Sequence, residues 1–303
     1  MNKEILDKFD PSFFKEEVKC DYRITTTQKK LWAIEIDLVS ELFRVCKKHD
    51  LRVFIYAGSL LGTIRHGGFI PWDDDMDLFL PREDYDKLVE VAPQEFKEPY
   101  FLQNALSDRE FFIGYSRLRN SDTTGILKWE KSLTYNNGVY IDIFVMDAFI
   151  DDPKLVAEQR KKAKFYAKLA GHYYADPAKR NMMQKAALAL YQHTFCKLVP
   201  YETIIRKYNS ILRMYEGKTD KYAILTHTDS FNNWCDKADI AETIWMDYEN
   251  IKVPVPVNYK KMLTTQYGDY MKLPEPKDRG MDHGDNITYD PDVPYKEYIR
   301  NHQ

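Results

Sequence analysis

Four carboxylates lie within five positions of the segment PWDDDMDLFL, at Asp73, Asp74, Asp75 and Asp77. Like charges at this spacing repel one another strongly unless a cation neutralises them. On an extended strand, Asp73, Asp75 and Asp77 would point to one face and Asp74 to the other. Hard cations such as Mg²⁺ or Mn²⁺ prefer carboxylate oxygens, and water and substrate phosphate can complete their coordination. The segment therefore predicts a divalent metal site with Asp73, Asp75 and Asp77 among its ligands.

Two other interpretations fit this segment less well. A calcium loop of the EF-hand type, counted from Asp73, requires Gly at position six and Glu at position twelve, where this chain has Leu78 and Asp84. A solvated acidic loop is inconsistent with the apolar neighbours Trp72 and Phe79, which are typical of half-buried positions. A metal site remains the favoured interpretation.

A glycine-rich stretch precedes the acidic segment and predicts a phosphate-binding element. Gly58 and Ser59 begin it, and further glycines flank Arg65 and His66. Glycine lets a backbone approach a phosphate closely, and a helix starting near Ser59 would direct free N–H groups at an anion. Arg65 can add a bidentate contact, and His66 is a candidate phosphate contact. The stretch is not a GxxxxGK[ST] loop, but next to a metal site it suits phosphoryl transfer.

A later acidic residue, Asp142 in VYIDIF, lies between apolar residues of a predicted strand. A buried carboxylate is paired, bound to metal or acts as a base. We interpret Asp142 as a further metal ligand or as the general base, and Asp147, at the end of the same strand, as a weaker candidate.

The elements that must position these residues alternate between helix and strand over about the first 150 residues. A helix is predicted to start at Thr25–Thr27, because apolar residues follow it at spacings of three and four. Strands are predicted at 53–57, 78–80, 111–120 and 138–146, with a short helix at 84–91. Residues 1–25 are predicted to be an extended lead-in. This order favours an α/β or α+β core over residues 1–150.

Residues 151–240 differ in composition and are interpreted as a helical insertion, with residues 241–303 completing the core. From Lys154 to Lys185 there are nine basic residues and two acidic ones. Two interpretations stay open: a solvated helical surface, or a surface that meets anionic lipid or an anionic acceptor polymer.

Length, charge and cysteine content exclude several classes of protein. The 303 residues allow about two domains or one enlarged domain, and 44 basic against 47 acidic residues argue against nucleic-acid binding. Four scattered cysteines form neither a disulfide framework nor a zinc motif. With no signal-peptide core or long apolar run, a cytoplasmic location is expected, with a possible place at the inner membrane face.

The segment GSLLGTIRHGGFIPWDDDMDL resembles the signature of the LicD family, whose named members are phosphocholine transferases of bacterial surface glycans. The resemblance extends to VYIDIFVMDAF and to VPVPVNYKKMLTTQYGDYMKLPEPKDR. The family is related to fukutin-type proteins and belongs to the nucleotidyltransferase superfamily. In that superfamily's pattern, Gly58-Ser59, Asp75-Met76-Asp77 and Asp142 match the Gly-Ser, the paired acids and the third acid. The resemblance implies an α+β fold, with a nucleotidyltransferase-like mixed sheet, flanking helices and a helical insertion.

By this resemblance the donor is CDP-choline and the acceptor is a glycan or lipid-linked glycan, modified on a sugar hydroxyl of a teichoic acid, lipopolysaccharide or capsule precursor. Choline cannot donate hydrogen bonds and is best held by aromatic faces, so Trp72 is a candidate choline contact. Arg117 and Arg119 are candidates for phosphate or acceptor contacts, although either could be an ion-pair partner. The alternatives are another CDP-alcohol donor, such as CDP-ribitol or CDP-glycerol, a glycosyltransferase, and an inactive relative that serves as a binding subunit.

Overall fold

The computed structural model describes residues 3–128, 135–177, 180–226, 234–280 and 283–302. The strands are β1 (Glu17–Lys19), β2 (Tyr22–Ile24), β3 (Phe54–Ile55), β4 (Asp77–Pro81), β5 (Tyr100–Gln103), β6 (Ser116–Asn120), β7 (Thr124–Leu127), β8 (Val139–Ala148), β9 (Lys221–Ala223), β10 (Trp234–Asp236), β11 (Thr243–Tyr248), β12 (Ile251–Pro256) and β13 (Ile287–Asp290). The helices are α1 (Lys3–Leu6), α2 (Thr26–Lys48), α3 (Ala57–His66), α4 (Arg82–Glu95), α5 (Pro153–Tyr173), α6 (Met182–Leu190), α7 (Cys196–Leu198), α8 (Tyr201–Leu212), α9 (Tyr259–Tyr267) and α10 (Tyr295–His302), and a π-helical turn at Tyr191–Phe195 joins α6 to α7.

Strand β8 is the centre of the main sheet, and all ten of its residues are buried. It runs parallel to β4 on one side and antiparallel to β6 on the other, while β9 pairs with its last residues. The strand order is β10-β9-β8-β4-β3, and β5 extends the sheet beyond β6. A mixed sheet with flanking helices confirms the predicted α+β class. The near-continuous apolar sequence of β8 suits a strand with both faces covered.

Helix α2 covers the sheet and begins where the sequence predicts. The Thr25 side chain accepts a hydrogen bond from the Gln28 backbone N–H at 3.2 Å, which caps the first turn. The apolar residues at spacings of three and four are all buried: Leu31, Ile34, Leu38, Leu42 and Cys46. The helix therefore packs one apolar stripe on the core.

Two predictions about the chain's outer parts need correction. The first 25 residues are not a simple extended lead-in, because α1 and the β1–β2 hairpin form there and the rings of Phe9, Phe13 and Phe14 pack together. The segment 151–240 is helical from α5 to α8, but β9 and β10 within it extend the main sheet. Part of the predicted insertion thus belongs to the core. Among the described helices, none combines the length and apolarity needed to cross a bilayer.

Candidate active site

The acidic segment forms a loop that leads into β4, and neighbouring elements hold its backbone. Gln28 Nε2 and Trp32 Nε1 on α2 donate hydrogen bonds to the Asp73 carbonyl at 3.2 and 3.0 Å. The Tyr289 hydroxyl of β13 donates to the Asp74 carbonyl at 3.1 Å. Elements more than 200 residues apart in the chain therefore fix the position of these carboxylates.

Asp73, Asp74 and Asp75 form the carboxylate cluster. Each offers one oxygen, and the three oxygens lie within 4.8 Å of one another. Burial alternates along this segment, with Asp74 buried and Asp73, Asp75 and Asp77 half-buried, as the predicted alternation requires, although β4 starts only at Asp77. Asp74 is fully buried, and its Oδ2 has no hydrogen-bond partner among the residues that the structure describes. A buried carboxylate oxygen without a donor, beside two further acids, fits a bound cation.

A second set of charges crosses three neighbouring strands in register. Asp142 on β8 pairs with Asp77 on β4 and with Arg117 on β6. Arg117 Nε donates to Asp142 Oδ1 at 2.7 Å, and the guanidinium lies 3.8 Å from the centroid of the Tyr140 ring. Arg117 and Asp142 are both buried. Arg117 is therefore the ion-pair partner of a candidate site carboxylate, the second of its two predicted roles.

Helix α3 brings its N-terminal turn against the cluster. A Cβ on Gly58 would lie 2.9 Å from Asp73 Oδ2, so glycine leaves room for that carboxylate. Ala57 has φ +45°, a conformation that L residues seldom adopt and that is often found at functional sites. Ser59 is buried, and its Oγ accepts a hydrogen bond from the Asp77 backbone N–H at 2.9 Å. The Ser59 hydroxyl thus positions the start of β4, which differs from the predicted contact with substrate.

His283 is a site residue that the sequence did not single out. Its Nδ1 lies 3.5 Å from Asp74 Oδ1 and 4.0 Å from Asp75 Oδ2. Burial lowers the pKa of His283, but the nearby carboxylates of Asp74 and Asp75 outweigh burial and raise it. A single His far along the chain carries no local sequence signal, so only the fold reveals this contact.

Burial and charge repulsion together disfavour ionised carboxylates in this region. The pKa of Asp75 is raised well above its usual range, first by burial and then by the charge of Asp73. Burial also raises the pKa of Glu35, a fully buried residue of α2 on which the aspartates act as well. Acids in such surroundings favour a cation that would neutralise them.

A cavity of about 650 Å³ opens beside the cluster. Asp73, Asp75 and Asp77 line one part of it, and Tyr267 and Tyr270 line another. The remaining lining residues come from α3, from the loop before β4 and from the C-terminal segment: Ala57, Gly58, Leu61, Arg65, Ile70, Trp72, Asp269, Lys272, Leu273, Pro274, Glu275 and Gly280. The volume lies within the range of small-molecule binding sites, roughly 300–1,000 Å³.

The predicted substrate residues around this cavity differ in how accessible they are. The Arg65 guanidinium lines the cavity and donates to the carbonyl oxygens of Tyr270 and Lys272 at 3.0 and 3.3 Å. His66 Nε2 accepts a hydrogen bond from Arg65 Nε at 2.9 Å. Trp72 is buried, and the Arg279 guanidinium lies 5.4 Å from its ring centroid. Arg65 therefore anchors the C-terminal loop, and a protein cation already lies beside Trp72.

Arg119 and Asp147 do not belong to this site. Arg119 is fully buried, and it donates to Gln103 Oε1 at 2.5 Å and to the Gly138 carbonyl at 2.8 Å. The prediction that Arg119 contacts substrate is therefore not supported by its position. Asp147 accepts two hydrogen bonds from buried Arg82, at 2.6 and 2.7 Å. Both residues stabilise the fold.

The mixed sheet, with paired acids at the start of one strand and a third acid on the next, defines a nucleotidyltransferase-like domain. The family model described as LicD/FKTN/FKRP, nucleotidyltransferase domain, matches residues 50–184. That range contains the carboxylate cluster and Asp142. Residues 50–184 therefore carry a domain similar to that of the LicD family, and the protein is an enzyme of the phosphotransferase class.

Several curated proteins are similar to this chain. The lipopolysaccharide cholinephosphotransferase LicD of Haemophilus influenzae is 26% identical over 273 residues, which cover 86% of this chain and 97% of that protein. Uncharacterized proteins of Rickettsia prowazekii and Rickettsia typhi are 37% and 35% identical over 79 and 77 residues. These shorter matches cover 26% and 25% of this chain, and 28% and 24% of the Rickettsia proteins.

Proposed function

We propose that the protein transfers phosphocholine from CDP-choline to a sugar hydroxyl of a bacterial surface glycan and releases CMP. The observation that carries this proposal is one cavity. It is lined both by acidic residues and by a loop that carries tyrosines and further carboxylates. The name of the Haemophilus influenzae relative, a lipopolysaccharide cholinephosphotransferase, supports the choline assignment and favours a lipopolysaccharide acceptor.

The acidic part of the cavity fits a divalent cation and the donor's diphosphate. Asp73, Asp75 and Asp77 line the cavity, and Asp74 offers a carboxylate oxygen within 4.8 Å of oxygens of Asp73 and Asp75. These residues would hold Mg²⁺ or Mn²⁺, which would neutralise the negative charge of a diphosphate. Arg65 lines the same cavity and brings a positive charge toward the phosphate oxygens.

The tyrosines that line the cavity suit a quaternary ammonium group. Tyr267 is 44% exposed, Tyr270 is half-buried, and both line the cavity beside Asp269 and Glu275. Aromatic faces attract a trimethylammonium group by cation–π interaction, and nearby carboxylates add to the attraction. Tyr267 and Tyr270 are therefore better choline contacts than Trp72, which is buried beside Arg279.

In the reaction, the acceptor oxygen forms a bond to the phosphorus that bears choline. The bond from that phosphorus to the bridging oxygen breaks, CMP leaves with the bonding electron pair, and the proton of the acceptor hydroxyl passes to water. Of the two roles predicted for Asp142, the hydrogen bond from Arg117 favours the ligand over the base, because Oδ1 already accepts a donor and is held in place by it. Transfer of a ribitol or glycerol phosphate would use the same acidic residues but would not require the tyrosines.

A donor comparison tests the proposal. The protein is incubated with Mg²⁺, a lipopolysaccharide or teichoic acid acceptor, and CDP-choline, CDP-glycerol or CDP-ribitol, and CMP release is followed. CDP-choline is expected to be the preferred donor, and Asp77→Ala is expected to abolish turnover. Asp247→Ala, in a side chain 82% exposed on β11, serves as the matched control. Preference for another CDP-alcohol would overturn the donor assignment, and an active Asp77→Ala protein would contradict the role of the acids.

Replacement of Tyr267 separates choline recognition from phosphate binding. Tyr267→Leu removes the aromatic face and is expected to raise KM for CDP-choline about 5- to 30-fold, which corresponds to roughly 1–2 kcal/mol of cation–π attraction. Tyr267→Phe keeps the ring and is expected to keep most of the affinity. An unchanged KM in Tyr267→Leu would show that choline is not held by this residue.

A further inference from the structure

The helical segment from α5 to α7 carries a concentration of exposed apolar side chains. Met182, Met183, Leu190 and Leu198 are 81%, 82%, 66% and 82% exposed. Among large hydrophobic residues of the described chain, Val18 is the one other that exceeds 60% exposure. Single exposed apolar residues are ordinary on soluble proteins, but four within 17 positions form a patch that marks an interaction surface.

Helix α6 directs much of this patch to one side. Its sequence, MMQKAALAL, contains a single charged residue, Lys185. Met183, Ala187 and Leu190 share one face at helical spacing and are exposed, whereas Leu188 is buried. The outer face of α6 is therefore apolar and uncovered by the described part of the chain.

Basic residues accompany the apolar patch. On α5, the exposed lysines Lys161 and Lys168 lie four residues before and three residues after Phe165, which is 58% exposed, and so share its face. Residues 154–198 contain ten basic and two acidic residues, while the rest of the chain contains 34 basic and 45 acidic residues. One of the ten, Lys179, lies outside the described residues. The positive charge of the protein is thus concentrated where its apolar surface is exposed.

We propose that the surface formed by α5, α6 and α7 binds an anionic lipid bilayer. Exposed Met and Leu side chains would enter the interfacial region, and the lysines would contact anionic headgroups. Helix α6 has nine residues, far fewer than the roughly 20 that span a bilayer, so it would lie in the surface. This proposal does not depend on the donor or on the reaction proposed above.

Two other occupants fit the observations less well. A second copy of the chain would bring two strongly basic surfaces together, and these would repel each other. An anionic glycan would engage the lysines but would gain nothing from exposed Met183 or Leu190. An anionic bilayer accounts for both the charge and the apolar face.

Vesicle binding of the full chain tests the proposal. Vesicles of phosphatidylcholine with about 30% phosphatidylglycerol are compared with pure phosphatidylcholine vesicles by flotation. We expect binding to the anionic vesicles, and a loss of more than tenfold in the partition coefficient for Met183→Gln/Leu190→Gln. Lys161→Gln/Lys168→Gln is expected to lose about 25-fold at low salt, about fivefold for each lysine. Matched controls are Val18→Gln and Lys260→Gln, exposed residues elsewhere, which should bind as the wild type does.

Several results would overturn the proposal. One such result is a wild type that does not bind anionic vesicles, and another is an α6 double variant that binds as well as Val18→Gln. Binding to soluble polyglycerol phosphate without binding to vesicles would assign the surface to a polyanion. A concentration-dependent molecular mass that Met183→Gln/Leu190→Gln abolishes would assign it to a second copy. Far-ultraviolet circular dichroism and the unfolding temperature of each variant show that the fold is retained.

Discussion

Gly58→Ala should impair catalysis without weakening the fold. The new Cβ would lie 2.9 Å from Asp73 Oδ2, where ordinary contacts begin at about 3.4 Å, so the carboxylate must move by about 0.5 Å. Metal sites hold their ligand distances within about 0.2 Å, and a misplacement of about 1 Å at a catalytic centre costs about 100-fold in rate. A 10- to 100-fold loss of kcat/KM is therefore expected, with a higher Mg²⁺ concentration needed for half-maximal rate.

The free energy of unfolding of Gly58→Ala should rise slightly or stay unchanged. Alanine within a helix is favoured over glycine by roughly 0.5–1 kcal/mol, and the clash involves the free end of a side chain. Gly171→Ala in α5, where a Cβ meets nothing within 4 Å, is the matched control for helix propensity. CMP release across a Mg²⁺ titration and thermal unfolding are measured for both variants. Normal activity with an unchanged Mg²⁺ requirement in Gly58→Ala would refute the placement of Asp73 at the site.

Three further predictions concern residues around the site. Arg117→Ala leaves the buried Asp142 carboxylate without its cation and should destabilise the protein by about 3–5 kcal/mol, measured by urea denaturation; a loss under 1 kcal/mol would contradict the ion pair. Arg119→Met removes the hydrogen bond to Gln103 and should lower the free energy of unfolding. At a temperature where the variant stays folded, KM for the donor should be unchanged, and a raised KM would place Arg119 in the site. The pKa of His66 is lowered to about 4, first by burial and then by Arg65, so its NMR titration midpoint should lie near pH 4 rather than 6.5. Because the unfolded chain then binds this proton more readily, stability should fall as pH drops from about 6.5 to 4 and not change further through this group below pH 4.

Local patterns were sufficient to predict the elements that carry the site. The apolar spacing after Thr25 and the buried run around Asp142 correspond to α2 and β8, since each is determined by short-range periodicity and burial. The composition of MMQKAALAL predicts a helix, but its exposure depends on what packs against it. That information is absent from a local pattern.

Such local patterns do not predict contacts between segments that are distant in the chain. His283 meets Asp74 only because the C-terminal segment crosses the acidic loop. Asp74 is buried as the period of two predicts, but the pattern does not reveal that one of its oxygens lies within 4.8 Å of those of Asp73 and Asp75. Arg117 pairs with Asp142 through the register of β6 and β8, and register is determined by the whole sheet.

The proposed reaction cleaves the donor on the choline side of its diphosphate. CDP-choline labelled in the choline methyl groups is incubated with the protein, Mg²⁺ and a lipopolysaccharide acceptor, and both products are analysed by mass spectrometry. We expect CMP in solution and labelled phosphocholine on the glycan. Labelled phosphocholine in solution with a cytidylyl group on the acceptor would contradict it, because the attack would then have taken place on the nucleotide phosphorus.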